Sequence, residues 1–445
     1  VSGGKSAVAA PFLWIWSKLA AVLGRVGRLI ANSPPARALQ RLWARLAQTW
    51  IGRQIVRGRH YLGDRFRAGE LGSIPVVLGL IVIWIVFTLL DSRFISSENL
   101  SNLSQQMAAT GTIALGIVFV LLLGEIDLSV GSVSGVTAAI LAVLNVNHGF
   151  GTIPSILLAL AAGATIGAIH GLFFTRIGVP TFVVTLAGLI GWQGLQLVVL
   201  GKEGTVNFDF NGGVASLVNT YYIDAIGYGI AIGVTVLFAV FALNEARRRK
   251  AAGLVATSTR QIAIRAVALG VALFVVVVVM NGYKGMPLAL LILGGLVVIF
   301  DLVLRKTVFG RQVFAVGGNA EAARRAGIDV RRVQMTVMMI AGTMAAAGGI
   351  LAASRLYAVN QDSGASDVLL NAIAAAVIGG TSLFGGRGSA YSALLGILVI
   401  QSIANGMLLL DLGSDVRFMI TGAVLLAAVS IDALARRGQA TRGLV

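Results

Sequence analysis

The sequence predicts an all-α protein: a polytopic transmembrane helical bundle of about twelve spans, some of them broken or re-entrant. Three observations predict it. Of 445 residues, 57% are hydrophobic and only 12% charged, where a soluble domain carries roughly a quarter. Fifty-six glycines accompany seven prolines and no cysteine, and small residues let helix backbones close up in lipid, where apolar burial supplies no drive for association. The apolar residues gather in stretches near the roughly 20 residues that cross a bilayer, divided by short basic loops.

In chain order, the first span, 75–90, starts at Pro75 and stops at Asp91, and the second, 107–123, stops at Gly124, where two carboxylates follow. The third and fourth, 130–146 and 153–174, flank the turn residues Asn147, His148 and Gly149. The fifth, 181–200, begins after Pro180 and ends at Gly201-Lys202. The sixth and seventh, 226–243 and 262–280, enclose the basic loop Arg247-Arg248-Arg249-Lys250; the eighth, 287–304, ends at Arg305-Lys306. The ninth, 332–353, follows Arg331, a glycine-rich run joins the tenth and eleventh, 368–384 and 389–408, and the twelfth, 416–433, ends before Arg436-Arg437. Next to 124–131 and 379–388, both full crossings and re-entrant halves fit the pattern.

A net charge of +17 suggests nucleic acid in a soluble protein, but here the basic residues lie between apolar spans rather than on one face with stacking aromatics. The positive-inside rule accounts for them: with the amino terminus inside, twelve spans leave Arg93, Lys202, Lys284, Arg355 and Arg417 outside and the other 30 of 35 Lys and Arg inside. Both termini are expected in the cytoplasm. The chain divides into a basic region 1–72, a transmembrane domain 73–435 and a tail 436–445. Within 39–53, Leu39, Leu42, Trp43, Leu46 and Trp50 form one stripe while Arg41, Arg45 and Arg53 lie off it, so a helix on anionic membrane lipid is expected there, with a second at 12–30 before Pro34-Pro35. Without cysteine, and with His60, His148 and His170 isolated in sequence, no metal site and no cofactor is expected.

Three segments carry chemistry. Gly124-Glu125-Ile126-Asp127-Leu128-Ser129-Val130-Gly131-Ser132 interrupts two apolar stretches with two carboxylates. Buried charge in a membrane faces protein or a water-filled cavity, so Asp127 or Ser129 capping the next helix and a role along a transport path both fit. The glycine-rich run from Ala372 to Ser389 echoes this break in ending on Gly-Ser before a small-residue helix, a hint of duplicated halves. No Gly-Lys-Ser/Thr closes it, so it is not a phosphate cradle. In the third segment Gly317 and Gly318 precede Asn319, a good N-cap. Glu321 suits the first turn, Ala322 and Ala323 the middle, Arg324 and Arg325 the last, and Gly327, before Ile328, can close the helix in a left-handed conformation. A solvated charged loop and a docking helix for a soluble partner both match that spacing.

Together, in order and in register from about 75 to 435, the runs 124–132, 317–328 and 378–383 resemble the bacterial permease family of the ribose and xylose ABC transporters. The resemblance implies a permease homodimer in the bacterial plasma (inner) membrane, a cytoplasmic ATP-binding subunit docked on it and an extracytoplasmic sugar-binding protein. It also implies that 317–328 is the coupling helix entering the ATPase. The pair of spans around Arg247-Lys250 resembles the xylose-type members, which implies xylose or a related monosaccharide as substrate. The long basic amino-terminal region, Phe384 and Arg387 depart from the family pattern.

Gly4-Lys5-Ser6 is only a fragment of a phosphate-binding loop, so the chain is expected to be a transport subunit and no enzyme, with ATP handled by its partner. A neutral sugar needs hydroxyl partners, which makes Gln193, Gln196, Asn371 and Asn405 pathway candidates, with Glu125 and Asp127 next. A proton-driven secondary transporter is the rival; it needs titrating groups within its spans, and only the 125/127 pair is expected to qualify.

Overall fold

A computed structural model describes residues 74–413 and, beyond them, 415–416, 418–423, 426 and 430. The amphipathic helices expected within 1–72 and the tail 436–445 lie outside the described residues. So does part of the twelfth span, whose described positions are helical.

The chain runs through α1 (Ile74–Leu90), α2 (Ser97–Leu122), α3 (Val130–Ala142), α4 (Thr152–Leu172) and α5 (Thr181–Leu200). Then come β1 (Thr205–Asn207), α6 (Gly213–Asn219), β2 (Tyr221–Tyr222), α7 (Asp224–Ala251), α8 (Thr259–Asn281), β3 (Met286–Pro287) and α9 (Leu288–Lys306). It continues with α10 (Val308–Gly318), α11 (Ala320–Arg325), α12 (Val330–Leu356), β4 (Ala358–Asn360), α13 (Ser366–Ile378) and α14 (Ala390–Leu409). Single π-turns, Val143–Asn147 and Phe173–Ile177, extend α3 and α4. Among the described residues nine helices are long and apolar enough to cross a membrane and two more, Val76–Leu90 and Asp367–Ile378, are apolar but shorter.

Helix α2 is the axis: 94% of its most apolar window is buried, with α9, α12, α13 and α14 packed around it. It begins ten residues before the predicted 107, because the polar run Ser97–Gln106 finds its partners inside the protein. Ser96 caps the helix by accepting from the Asn99 amide at 3.2 Å, and Gln105 Nε2 donates to the Val218 carbonyl at 2.9 Å. Asn99 and Asn405 exchange side-chain bonds, Nδ2 of each donating to Oδ1 of the other at 2.8 and 3.0 Å. Removing one partner strands a buried amide, so Asn405→Ala should destabilise the protein by about 1–3 kcal/mol, while the double variant Asn99→Leu with Asn405→Leu should recover only part of that, because Asn99 Nδ2 also donates to the Phe94 carbonyl at 2.8 Å. Melting of the three proteins in detergent checks this.

Elsewhere close backbone approach replaces side-chain packing. Helices α4 and α12 cross at glycines: a Cβ on Gly167 would stand 2.8 Å from Met339 Cα, and one on Gly163 would stand 2.6 Å from Ala346 Cβ. By contrast α7 and α8 pack chiefly on each other, with 11% and 17% of their windows buried, and their exposed Val, Leu, Ile and Phe side chains suit lipid.

At one end of the bundle β1 pairs antiparallel with β4, and β2 with β3. At the other, basic end, Lys306 Nζ meets Glu245 Oε2 at 2.6 Å and α10 and α11 lie between α9 and α12. Helix α13, 13 residues and so about 20 Å of α-helix, is shorter than a bilayer core of about 30 Å, whereas α3 with its π-turn runs 18 residues, Val130–Asn147. The tenth predicted span, 368–384, therefore ends six residues early, because Gly379 and Gly380 stop the helix before the core is crossed.

Candidate functional site

Helix α5 serves as a ruler for the first break. The Thr185 hydroxyl, one turn into α5, reaches the Ile126 carbonyl at 3.4 Å; Gly188 and Trp192 sit beside His170, which faces Ser129; and Gln196, near the far end, abuts Gly135. Residues 124–129 thus run as irregular backbone from the basic end to the level of His170, with Gly124 left-handed and Ser129 in the α region, and α3 starts there. This is one crossing whose first part is irregular backbone and whose remainder is helix.

The loop 360–365 descends from the opposite side to meet it. Gln196 Nε2 donates to the Asn360 and Ser363 carbonyls at 2.9 and 3.0 Å, giving partners to backbone that lipid cannot hydrate. A Cβ on Gly131 would lie 2.7 Å from the Gly364 carbonyl oxygen and 3.3 Å from Leu369 Cβ, so the first turns of α3 and α13 touch. Two helix amino termini, each with unsatisfied N–H groups and a partial positive charge, converge at mid-depth. Such a junction favours the oxygen atoms of a polar solute or a carboxylate.

Asp127 supplies that carboxylate. It is 3% exposed, and its Oδ1 accepts from the Ser129 amide at 2.8 Å and from the Ser129 hydroxyl at 2.6 Å. Ser129 occupies the N-cap position of α3 but makes no side-chain cap bond, and Asp127 accepts from Ser129 itself rather than from the first N–H groups of the helix, so neither side chain makes the expected cap; Asp127 instead fixes the turn that leads into α3. Ser129 Oγ also lies 3.4 Å from His170 Nδ1, and Trp192 Nε1 donates to His170 Nε2 at 2.8 Å.

The second site is a seam of backbone at the basic end. The Gly386 amide donates to the Leu122 carbonyl, the end of α2, at 2.9 Å. A Cβ on Gly317 would collide with that same carbonyl and lie 2.9 Å from Gly386 N; one on Gly385, whose φ is +84, would lie 3.0 Å from Gly124 N. The end of α2 at 122–124, the end of α10 at 317–318 and the loop 384–386 meet here through backbone atoms. Just beyond, Asn319 Oδ1 caps α11 by accepting from the Ala322 amide at 2.9 Å, Glu321 pairs with Arg324 and Arg325 at 2.9 and 3.3 Å, and Gly327 closes the helix at φ +84. Ala323 is buried, whereas Glu321, Ala322, Arg324 and Gly327 are exposed and Ile328 packs against the core. Gly317 and Gly318 are the last residues of α10 rather than part of the capped turn.

The predicted pathway residues divide. The amides of Gln196 and Asn405 are committed to the buried bonds described above, whereas Gln193 is exposed on α5 and Glu125 and Asn371 are half-buried. The first glycine break joins α2 to α3 and the second joins the short α13 to α14. Sequence reasoning passed over His170 and Trp192, which lie 41 and 63 residues beyond Ser129 and share no motif with it. The signal available was an ionisable ring inside an apolar span.

Comparison with known proteins gives this geometry a lineage. Residues 99–429 match the family described as branched-chain amino acid transport system / permease component. The chain is 34% identical over 368 residues to the xylose transport system permease protein of Escherichia coli (strain K12), covering 81% of this chain and 92% of that protein. It is 35% identical over 352 residues to the protein of the same description from Haemophilus influenzae, covering 77% and 90%. With the ribose import permease protein of Bacillus subtilis (strain 168) it shares 31% over 364 residues, 82% and 94% of the two chains. No solved structure gives a significant match. The multi-pass helical chain belongs to this family of membrane-spanning permease components.

Proposed function

We propose that the protein is the permease subunit of an ATP-driven importer of xylose or a related monosaccharide, working as a pair of copies with both termini in the cytoplasm. The observation that carries the reading is the glycine seam, through which the α10–α11 segment presses directly on the loops that end α2 and α13. A separate ATP-hydrolysing protein docks on the exposed charged face of α11, and a sugar-binding protein delivers substrate at the far end. ATP-driven closure of the two ATPase copies moves both α11 segments, and the seam passes that motion to α3 and α13, which alternate the side to which the path opens. The permease contributes no ATP site of its own. Gln193, Asn371 and Glu125 are the polar groups left to meet sugar hydroxyls, with Asp127 organising the junction behind them. Support for a pentose comes from the names of the xylose and ribose relatives, and basic loops at the α11 end support a cytoplasmic position for it.

The test is uptake of labelled xylose into proteoliposomes holding the protein, its ATPase and its binding protein. Uptake should require ATP and both partners; uptake driven by a proton gradient alone would overturn the reading. Glu321→Arg with Gly327→Val, which breaks both ion pairs of α11 and forces a β-branched residue into the left-handed region, should weaken ATPase binding about tenfold or more while membrane insertion survives. Pull-down of the ATPase by matched amounts of inserted protein checks it.

A further inference from the structure

Four polar side chains form one directed chain behind the junction of α3 and α13. Trp192 carries only a donor, so His170 Nε2, 2.8 Å away, must hold a lone pair, and the neutral ring carries its proton on Nδ1. The Ser129 hydroxyl proton goes to Asp127 at 2.6 Å, which leaves Ser129 Oγ to accept from His170 Nδ1 at 3.4 Å. Every donor therefore points towards the buried Asp127 carboxylate, which forms no ion pair with Lys or Arg among the described residues. Three separate elements are joined: α5 through Trp192, α4 through His170 and the entry to α3 through Ser129 and Asp127.

We propose that His170 is a positioning residue for transport, holding the α4–α5 hairpin to the start of α3 through Ser129 and Asp127 so that they move as one body, and that this hold requires the neutral ring. An imidazolium has no lone pair for the Trp192 N–H, so protonation sets two donors against each other and releases α5. The group facing the ring that carries charge is Asp127; α5 presents Gly188 and Trp192, and α12 presents Met335 and Met338 beside Gly171. Gln in place of His satisfies the same geometry without titrating, since its carbonyl accepts from Trp192 and its amide donates to Ser129. The inference rests on the importer reading for its transport assay but not for its spectroscopic one.

The experiment compares wild type, His170→Gln and His170→Phe at matched membrane levels, reconstituted with the same ATPase and binding protein, between about pH 4.5 and 8. His170→Phe should lower initial sugar uptake about tenfold. His170→Gln should keep most of it at pH 8, and its rate relative to wild type should rise as pH falls. Phe matching wild type, Gln as impaired as Phe, or a Gln-to-wild-type ratio independent of pH would each overturn the proposal. Trp192 emission, taken as the difference between wild type and Trp192→Phe in detergent, supplies the reading that needs no substrate. It should be quenched in acid as the imidazolium forms and stay constant in His170→Gln. Emission that does not respond to pH overturns the linkage, whereas absence of ATP-driven sugar uptake by wild type condemns the importer reading and leaves the emission result standing.

Discussion

Gly317→Ala should nearly abolish ATP-driven uptake while Gly318→Ala, one residue on, should leave it close to wild type. The two substitutions add the same methyl group to the same motif. On Gly317 that group collides with the Leu122 carbonyl and approaches Gly386 N, both backbone atoms that cannot rotate away; on Gly318 it meets nothing within 4 Å. Forcing α10 off α2 costs about 1–3 kcal/mol or more by analogy with overpacked cores, and because the strain falls on the coupling path, transport should fall further than stability. Initial uptake rates and melting temperatures of the two variants, with ATPase turnover measured in the same vesicles, give the comparison. Equal uptake in both would remove the seam from the mechanism.

Asp127→Leu should cost about tenfold or more in uptake, and Asp127→Asn much less. The carboxylate accepts two bonds from Ser129, through the amide and the hydroxyl, and an asparagine Oδ1 can accept both. Leucine can accept neither and leaves the entry to α3 without partners at a depth where water is scarce. Measured at matched expression across about pH 5.5 to 8, equal loss in the two variants would mean that the negative charge itself is needed at the junction of helix amino termini.

The long apolar stretches were legible because lipid imposes length and composition directly on sequence. Eleven predicted spans from 75 to 408 each coincide with a helix, and the cap, first turn and closing glycine of α11 stand at the residues that local backbone rules select. Hydropathy failed where protein rather than lipid solvates the chain. The polar first turns of α2 read as loop because Asn99 and Gln105 look hydrophilic until Asn405 and Val218 are brought to them from 306 and 113 residues away. The depth of the break at 124–129 was equally hidden, since its partners Thr185 and His170 lie on other helices. A single sequence carries no record of such distant pairings, so the two carboxylates were visible and the imidazole chain behind them was not.

The burial of the helices runs opposite to their hydropathy. The axis α2 has a mean hydropathy of 1.6 over its best window and is 94% buried, while α7 and α8 reach 2.3 and 2.8 with 11% and 17% buried. The membrane side needs only oiliness, which many aliphatic residues supply equally; the interior needs particular small shapes and paired amides, which few do. Random substitution should therefore be absorbed freely on α7 and α8, where Val, Leu, Ile and Phe are interchangeable, and rejected on α2. A saturation library selected for growth on the transported sugar should accordingly show its most permissive positions in the most apolar helices, the reverse of the pattern in a water-soluble protein, where the apolar core is the part least free to drift.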